Sequence, residues 1–391
     1  MTTGFPRKLF GSLDEMLSTE AMGRLEGRPV AAVRTEPFAS AYGGVSGNAF
    51  LSVTTTGRSG ESAMHSDGAT GNDGEPRRYI VKRTSPAWDI IMRATNDRSC
   101  REMLVWQHGL LDRLPPEVGH TMLACAVDRS ERGDDWAILM RDVGELMHAA
   151  QRFPEPGWEA LTERQLAVFL DGLSALHAAY WEDPALLDSQ LGLCKLPWLY
   201  RSFSPATARR EANSHHVLVG WLRDGWQSFY EVAPPDVVRL VQRLHTDPGP
   251  LCDALGGYPW TLVHGDPNCK NVGIELEPAP RLLLLDWQLV TRAPATVDLA
   301  FFLSLFSAVL PVPKQDVVGG YRERLTARLG DRFDERTWQP QLELALLGHL
   351  LRFGAVLSTR MTRHPDPFVR AHYREELAWW SERALAGARW M

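Results

Sequence analysis

The sequence predicts an α+β protein in two lobes: a small antiparallel β lobe carrying one helix, then a larger, mainly helical lobe. Three observations predict it. Five strand-like runs, alternating or β-branched, fall before residue 145. Segments of helical period dominate after it. No internal repeat of 20–50 residues suggests a solenoid or propeller instead.

Residues 1–29 read as a short amphipathic leader, and residues 30–143 as the β lobe. The strands PVAAVRTEPF, NAFLSVTTT and RRYIVKRT come first. A small glycine-containing turn, YGGVSGN over residues 42–48, joins the first two. A loop rich in Gly, Ser and Asp joins the second to the third and is expected at the surface. Residues 97–114 place Met103, Leu104, Trp106, Leu110, Leu111 and Leu114 at helical spacing, which predicts the lobe's helix. TMLACAVD and WAILMRDV complete the strands, and residues 139–143 lead out of the lobe.

The helical lobe, residues 144–391, opens with TERQLAVFLDGLSALHAAYW. Leu166, Leu170, Leu173, Leu176 and Tyr180 share one face, and Thr162 with Gln165 three residues on reads as a capping box. Residues 190–258 read as a helical insertion broken by Pro and Gly. Two short strands that bracket a turn follow, WTLVHGDPNCKNVGIEL and RLLLLDWQLV, and the chain from Val297 is mostly helical again.

Composition narrows the class. Of 391 residues, 44% are apolar and 23% charged, enough for a sizeable core. Acids outnumber bases 48 to 42, which speaks against a dominant nucleic-acid or anionic-membrane surface. Cys100, Cys125, Cys194, Cys252 and Cys269 are scattered, with no C-x-x-C pair, so neither a disulfide framework nor a cysteine-rich zinc site is expected. The N-terminal segment lacks the apolar stretch of a signal peptide, and no run reads as a membrane span. A cytoplasmic protein is expected.

The chemistry concentrates in Leu262–Asn271, LVHGDPNCKN. An apolar strand runs into His264-Gly265-Asp266, and Asn271 follows after four intervening residues. Fifteen residues on, the strand Leu282–Leu285 ends in Asp286-Trp287-Gln288. Phosphoryl transfer needs a carboxylate to take the acceptor hydroxyl's proton and oxygen ligands for Mg²⁺ on the nucleotide phosphates. Asp266 suits the first task, Asn271 and Asp286 the second. The same residues admit a hydrolytic metal site built on His264, Asp266 and Asp286, but further histidines in ligand spacing are missing. No G-x-S-x-G nucleophile elbow is present. In the β lobe, Lys82 in the strand YIVK and Glu102 on the expected helix form a candidate phosphate-anchoring pair, and Ser46, Gly47 and Asn48 end a turn able to cover phosphates.

Taken in order, these motifs resemble the aminoglycoside phosphotransferase/choline kinase superfamily, which shares the protein-kinase fold. The Asp-Trp-Gln is most similar to the ecdysteroid-kinase-like (CHK) branch, and the resemblance covers about residues 30–355. It implies an ATP- and Mg²⁺-dependent small-molecule kinase with Asp266 as base, Asn271 and Asp286 as metal ligands, and Lys82 with Glu102 at the phosphates. It implies that Met140, Asp142 and Val143 lie in the connection facing the adenine, and that Asp298 braces the catalytic loop. Two departures stand out: the phosphate turn lacks the usual glycine spacing, and Pro267-Asn268-Cys269 replaces the Leu-Trp common in CHK relatives. Lys270 is unusual, and either neutralises the transferring phosphoryl or is solvated. A non-catalytic pseudokinase is the alternative of another class.

In this superfamily the acceptor lies against the insertion. Residues 190–260 hold six acids against seven bases, too few carboxylates for a polycationic aminoglycoside. They also hold Trp198, Tyr200, Trp221, Trp226 and Tyr230, suited to a ring face. A neutral hydroxylated acceptor is expected, with an aminoglycoside as the alternative.

Overall fold

A computed structural model describes residues 6–38, 46–57, 75–130, 133–147, 155–214 and 216–391. It has a small antiparallel β lobe followed by a larger, mainly helical lobe, as the strand and helix periods predict. Residues 42–45 of the glycine turn and residues 58–74 of the loop after it lie outside the described residues.

Two short helices come first, α1 (Leu13–Met16) and α2 (Thr19–Glu26), capped by Ser12 and Ser18. They differ from a free leader. Met16 and Met22 are buried with Val53, Val81 and Leu139 under the sheet, so this segment supplies part of the lobe's core. The sheet consists of β1 (Val30–Pro37), β2 (Ala49–Gly57) and β3 (Arg77–Thr84), followed after α3 (Ile90–Ala94), α4 (Arg101–Gln107) and β4 (Val118–His120) by β5 (Met122–Ser130) and β6 (Gly133–Arg141). Its order is β1-β2-β3-β6-β5, and every pairing is antiparallel.

The helix expected over residues 97–114 is shorter. α4 stops at Gln107, Gly109 turns the chain at φ +71°, and a separate 3₁₀ turn carries Leu110–Arg113. A left-handed residue ends a helix whatever the apolar spacing beyond it. β4 was not legible: three residues long, it pairs in parallel with a strand of the other lobe.

The helical lobe runs through α5 (Glu163–Ala179), α6 (Leu196–Arg201), α7 (Pro205–Arg210), α8 (Val217–Val232), α9 (Pro235–Thr246) and α10 (Gly249–Gly256). Thr162 and Gln165 form the expected capping box on α5. Four short strands follow, β7 (Thr261–Val263), β8 (Val272–Glu275), β9 (Arg281–Leu284) and β10 (Thr291–Ala293), then α11 (Thr296–Leu305), α12 (Lys314–Leu329), α13 (Glu335–Arg363) and α14 (Pro367–Gly387). β7 pairs with β10, and β9 lies between β4 and β8.

α13 is long and apolar enough to cross a membrane by length and composition, yet 89% of its most apolar stretch is buried inside the protein. It is the lobe's axial helix, packed by α8, α11 and α14. Its apolar run is therefore the price of burial on nearly every side. The aromatic-rich insertion resolves in the same way. Tyr200 and Trp226 are core residues, 2% and 1% exposed, and Trp198 and Tyr230 pack against that core. Only Trp221 of the five stands out, at 47% exposed.

Candidate active site

The buried strand β7 runs into the His264-Gly265-Asp266 turn and brings Asp266 to the lining of the cleft. Gly265 adopts φ +81°, and a Cβ there would lie 2.4 Å from the Leu289 carbonyl oxygen, so only glycine fits. Asp298, in the first turn of α11, accepts from the His264 and Gly265 amides, each at 2.8 Å. It has the bracing geometry that the resemblance implied.

His264 is fully engaged. Its Nε2 donates to the Leu285 carbonyl at 2.9 Å, and its Nδ1 accepts from the Asp266 amide at 3.3 Å. Burial holds its pKa below the usual range, keeping the ring neutral. With both nitrogens spent, it has no lone pair left for the hydrolytic metal weighed above.

Asp266 is held by two amides. Asn268 Nδ2 donates to Oδ1 at 2.9 Å, and Asn271 Nδ2 to Oδ2 at 3.1 Å. Burial pushes its pKa up to about 7, against the opposing pull of Arg352. Asn271 spends its amide nitrogen on Asp266, which leaves its carbonyl oxygen for a hard cation. The Leu285 amide bonds the Asn271 carbonyl at 2.9 Å, next to the Val272–Leu284 pair of β8 and β9. That ladder brings Asn271 and Asp286 alongside each other.

Lys82 on β3 donates to Glu102 of α4 and to Asp286 Oδ1, both at 2.8 Å. Burial alone would pull its pKa down, but Asp286 and then Glu102 outweigh that and hold the ammonium above its ordinary value. Asp286 takes a left-handed backbone, φ +60°, which turns its carboxylate back toward Lys82. One carboxylate oxygen remains for a metal. Mg²⁺ usually takes one or two protein oxygens and completes its shell with phosphates and water, so Asn271 and Asp286 fit it.

The cleft, about 1210 Å³, is lined by Ser46, Asn48, Lys82, Met140, Asp142, Val143, Asp266, Asn271 and Asp286. Two predicted nucleotide residues do not line it. Glu102 is buried behind Lys82, and Gly47 is packed against the Trp88 carbonyl and the His216 ring. A lone glycine pattern cannot tell a phosphate contact from a close packing contact. The Ser46 carbonyl accepts from the Ile90 amide at 2.7 Å, which ties the turn to α3.

Several residues here were given no role by the sequence. Asn268 holds Asp266 in one orientation. Gln288 donates to Asp89, the N-cap of α3, at 2.9 Å. Arg101 donates to the Gly192 and Gln288 carbonyls, at 2.7 and 2.6 Å, and Arg93 forks onto Glu211. Arg352 donates to the Gly265 carbonyl at 2.9 Å. Buried arginines in otherwise apolar runs were the available clue.

Beyond Asp266 the cleft is walled by α8 and α13 through Leu218, Trp221, Leu222, Phe353, Val356 and Thr359, with Phe203 beside them. Among the described residues this wall contains no carboxylate. Three distant acids are occupied elsewhere: Glu335 pairs with Arg322, Glu343 with Trp390 and Gln339, and Glu376 with Lys314. Lys270 lines the cleft, and burial brings its pKa down to about 7.

No family model and no curated protein matches the chain. Solved structures do. A microcompartment-associated aminopropanol kinase is 14% identical, covering 95% of this chain and 99% of its own, at a TM-score of 0.47. An ethanolamine kinase from Plasmodium vivax is 11% identical over 89% and 82%, at 0.45. The choline kinase LicA from Streptococcus pneumoniae is 12% identical over 95% and 99%, at 0.44. Identities this low do not carry an activity across.

Gly265→Ala is expected to destabilise the protein by about 3 kcal/mol or more, because it combines left-handed strain with a clash against backbone. Guanidinium denaturation measures it, and a loss under about 1 kcal/mol would show that the turn relaxes freely.

Proposed function

We propose that the protein is an ATP-dependent small-molecule kinase of the aminoglycoside phosphotransferase/choline kinase type, transferring the γ-phosphoryl group to a hydroxyl of a small acceptor. One observation supports this above the rest. Lys82, Glu102 and Asp286, up to 204 residues apart, meet in one buried ion-paired cluster facing the cleft that holds Asp266 and Asn271. In the mechanism, Lys82 anchors the nucleotide phosphates, and the backbone near Met140, Asp142 and Val143 receives the adenine. Asp266, kept in one orientation by Asn268 and Asn271, takes the proton of the acceptor hydroxyl. Its pKa near neutrality suits a base at physiological pH. Asn271 and Asp286 would hold Mg²⁺, which neutralises charge on the phosphates when bound. A pseudokinase would lack the base or a metal ligand, and this chain has both. We place it in the cytoplasm, which five buried cysteines in no disulfide support.

The acceptor we favour is neutral. An ammonium bound in a partly dry cleft needs compensating carboxylates. The described cleft-lining acids other than Asp266 and Asp286 are Asp142 and Glu145, at the connection between the lobes, and Asp142 already pairs with Arg78.

Asp266→Asn should lower kcat by about 10²–10⁴-fold with nucleotide affinity unchanged, because the proton loses its acceptor. A nucleotide-consumption assay over hydroxylated acceptors reads this, and near-wild-type turnover refutes the assignment.

Asp286→Ala should abolish Mg²⁺-dependent nucleotide binding in titration calorimetry. The same Mg²⁺-nucleotide affinity in the variant as in the wild type would remove Asp286 as a ligand.

Kanamycin-type acceptors should be poor substrates beside uncharged alcohols. Turnover of kanamycin with kcat/KM of about 10⁴ M⁻¹s⁻¹ or more would favour the aminoglycoside reading instead.

A further inference from the structure

The stretch LLGHLLRFGAVL of α13 contains one cation, Arg352, which is 2% exposed. A guanidinium removed from water is costly unless its donors are met. Here they are met in part. Nη1 donates to the Gly265 carbonyl, while Nε and Nη2 find no acceptor among the described residues. The remaining surroundings are aromatic. The guanidinium carbon lies 4.8 Å from the Phe301 ring centre, 5.5 Å from Phe203 and 5.6 Å from Phe353. Cation–π contact softens the cost, but an apolar side chain of similar shape would incur none. Of the charges acting on Arg352, Asp266 is the foremost. Both its hydrogen bond and its main counter-charge therefore belong to consecutive residues of the catalytic turn.

The placement is specific. The Gly265 amide is held by Asp298 and its carbonyl by Arg352. The carbonyl belongs to the peptide that leads into Asp266, so its rotation swings the base. Glycine has no Cβ to resist that rotation, and Asp298, bonded upstream, does not govern it.

We propose that Arg352 is a positioning residue for the phosphoryl transfer described above: it pins the Gly265–Asp266 peptide from behind and sets a buried positive charge against the Asp266 carboxylate, keeping the base aimed at the acceptor. This rests on the kinase reading of Asp266. The neighbouring Phe353 lines the acceptor side of the cleft, so one helix carries both the support of the base and part of the wall that seats its substrate.

The test compares the full-length wild type with Arg352→Met and Arg352→Lys. Three quantities are measured: ADP release from Mg-ATP with water as acceptor, Mg-AMP-PNP binding by calorimetry, and Tm. A crystal structure of Arg352→Met accompanies them. Arg352→Met should slow ADP release about 100-fold, the scale of an ångström misplacement. Nucleotide affinity should stay within about twofold and Tm should not fall, since a partly unmet buried cation adds little stability. Arg352→Lys should recover part of the rate, because it keeps the charge. In the crystal the Gly265 carbonyl should turn and Asp266 should leave Asn268 or Asn271. Three results overturn the proposal: unchanged ADP release, a rate loss matched by parallel losses of nucleotide binding and Tm, or an unmoved peptide in the crystal. If wild-type ADP release is too slow to read, the crystal decides. A wild type that binds no Mg-AMP-PNP fails the kinase reading itself, whatever Arg352 does.

Discussion

The Lys82 ammonium is the contact on which the two lobes agree. It is buried, so it persists only between opposite charges, and it has two: Glu102 from α4 and Asp286 from the helical lobe. Deleting Lys82 would leave the buried Glu102 without its cation, and breaking a buried pair in this way typically costs about 3–5 kcal/mol. The pairing therefore fixes α4 against the sheet and the Asp286 turn against both. Neighbouring bonds tighten the same junction. Trp287 donates its amide to Glu102, Gln288 its side chain to Asp89, and Arg101 reaches the Gln288 carbonyl. Every residue of Asp-Trp-Gln is thus tied to the small lobe, which fixes the Asp286 turn in place.

The floor of the cleft is built on a different economy. Asp266 and Lys270 bear opposite charges, yet burial drives both toward a pKa of about 7, one from below and one from above. Dry surroundings disfavour the charged form of each. Perturbed titratable groups of this kind cluster at working sites.

Strand and helix periods made the lobes legible, because burial of one face leaves a repeat in the chain. Local chemistry made the turns legible, since Gly265 and Asp266 follow a buried strand and Asp286 ends another. What stayed hidden depends on contacts between distant segments. β4 is three residues long and exists because β9 is beside it. Asn268 reads as a loop residue until Asp266 is seen to accept from it. The aromatics of the insertion point the other way: their density suggested a ring-binding wall, but Tyr200 and Trp226 fill the core. Composition counts side chains without saying which way they face.

α13 shows why that limit matters most at the site. By hydropathy it is the chain's most membrane-like segment, and hydropathy explains its burial at the lobe's axis. The same burial is what gives Arg352 its leverage. At a surface, a guanidinium near Asp266 would be hydrated and screened, and its hold on one peptide would be weak. Enclosed by phenylalanines, it has one strong hydrogen-bond acceptor, the Gly265 carbonyl, and one dominant counter-charge. The apolar run and the single charge inside it are therefore one device: the first removes water so that the second acts on a single atom of the catalytic turn.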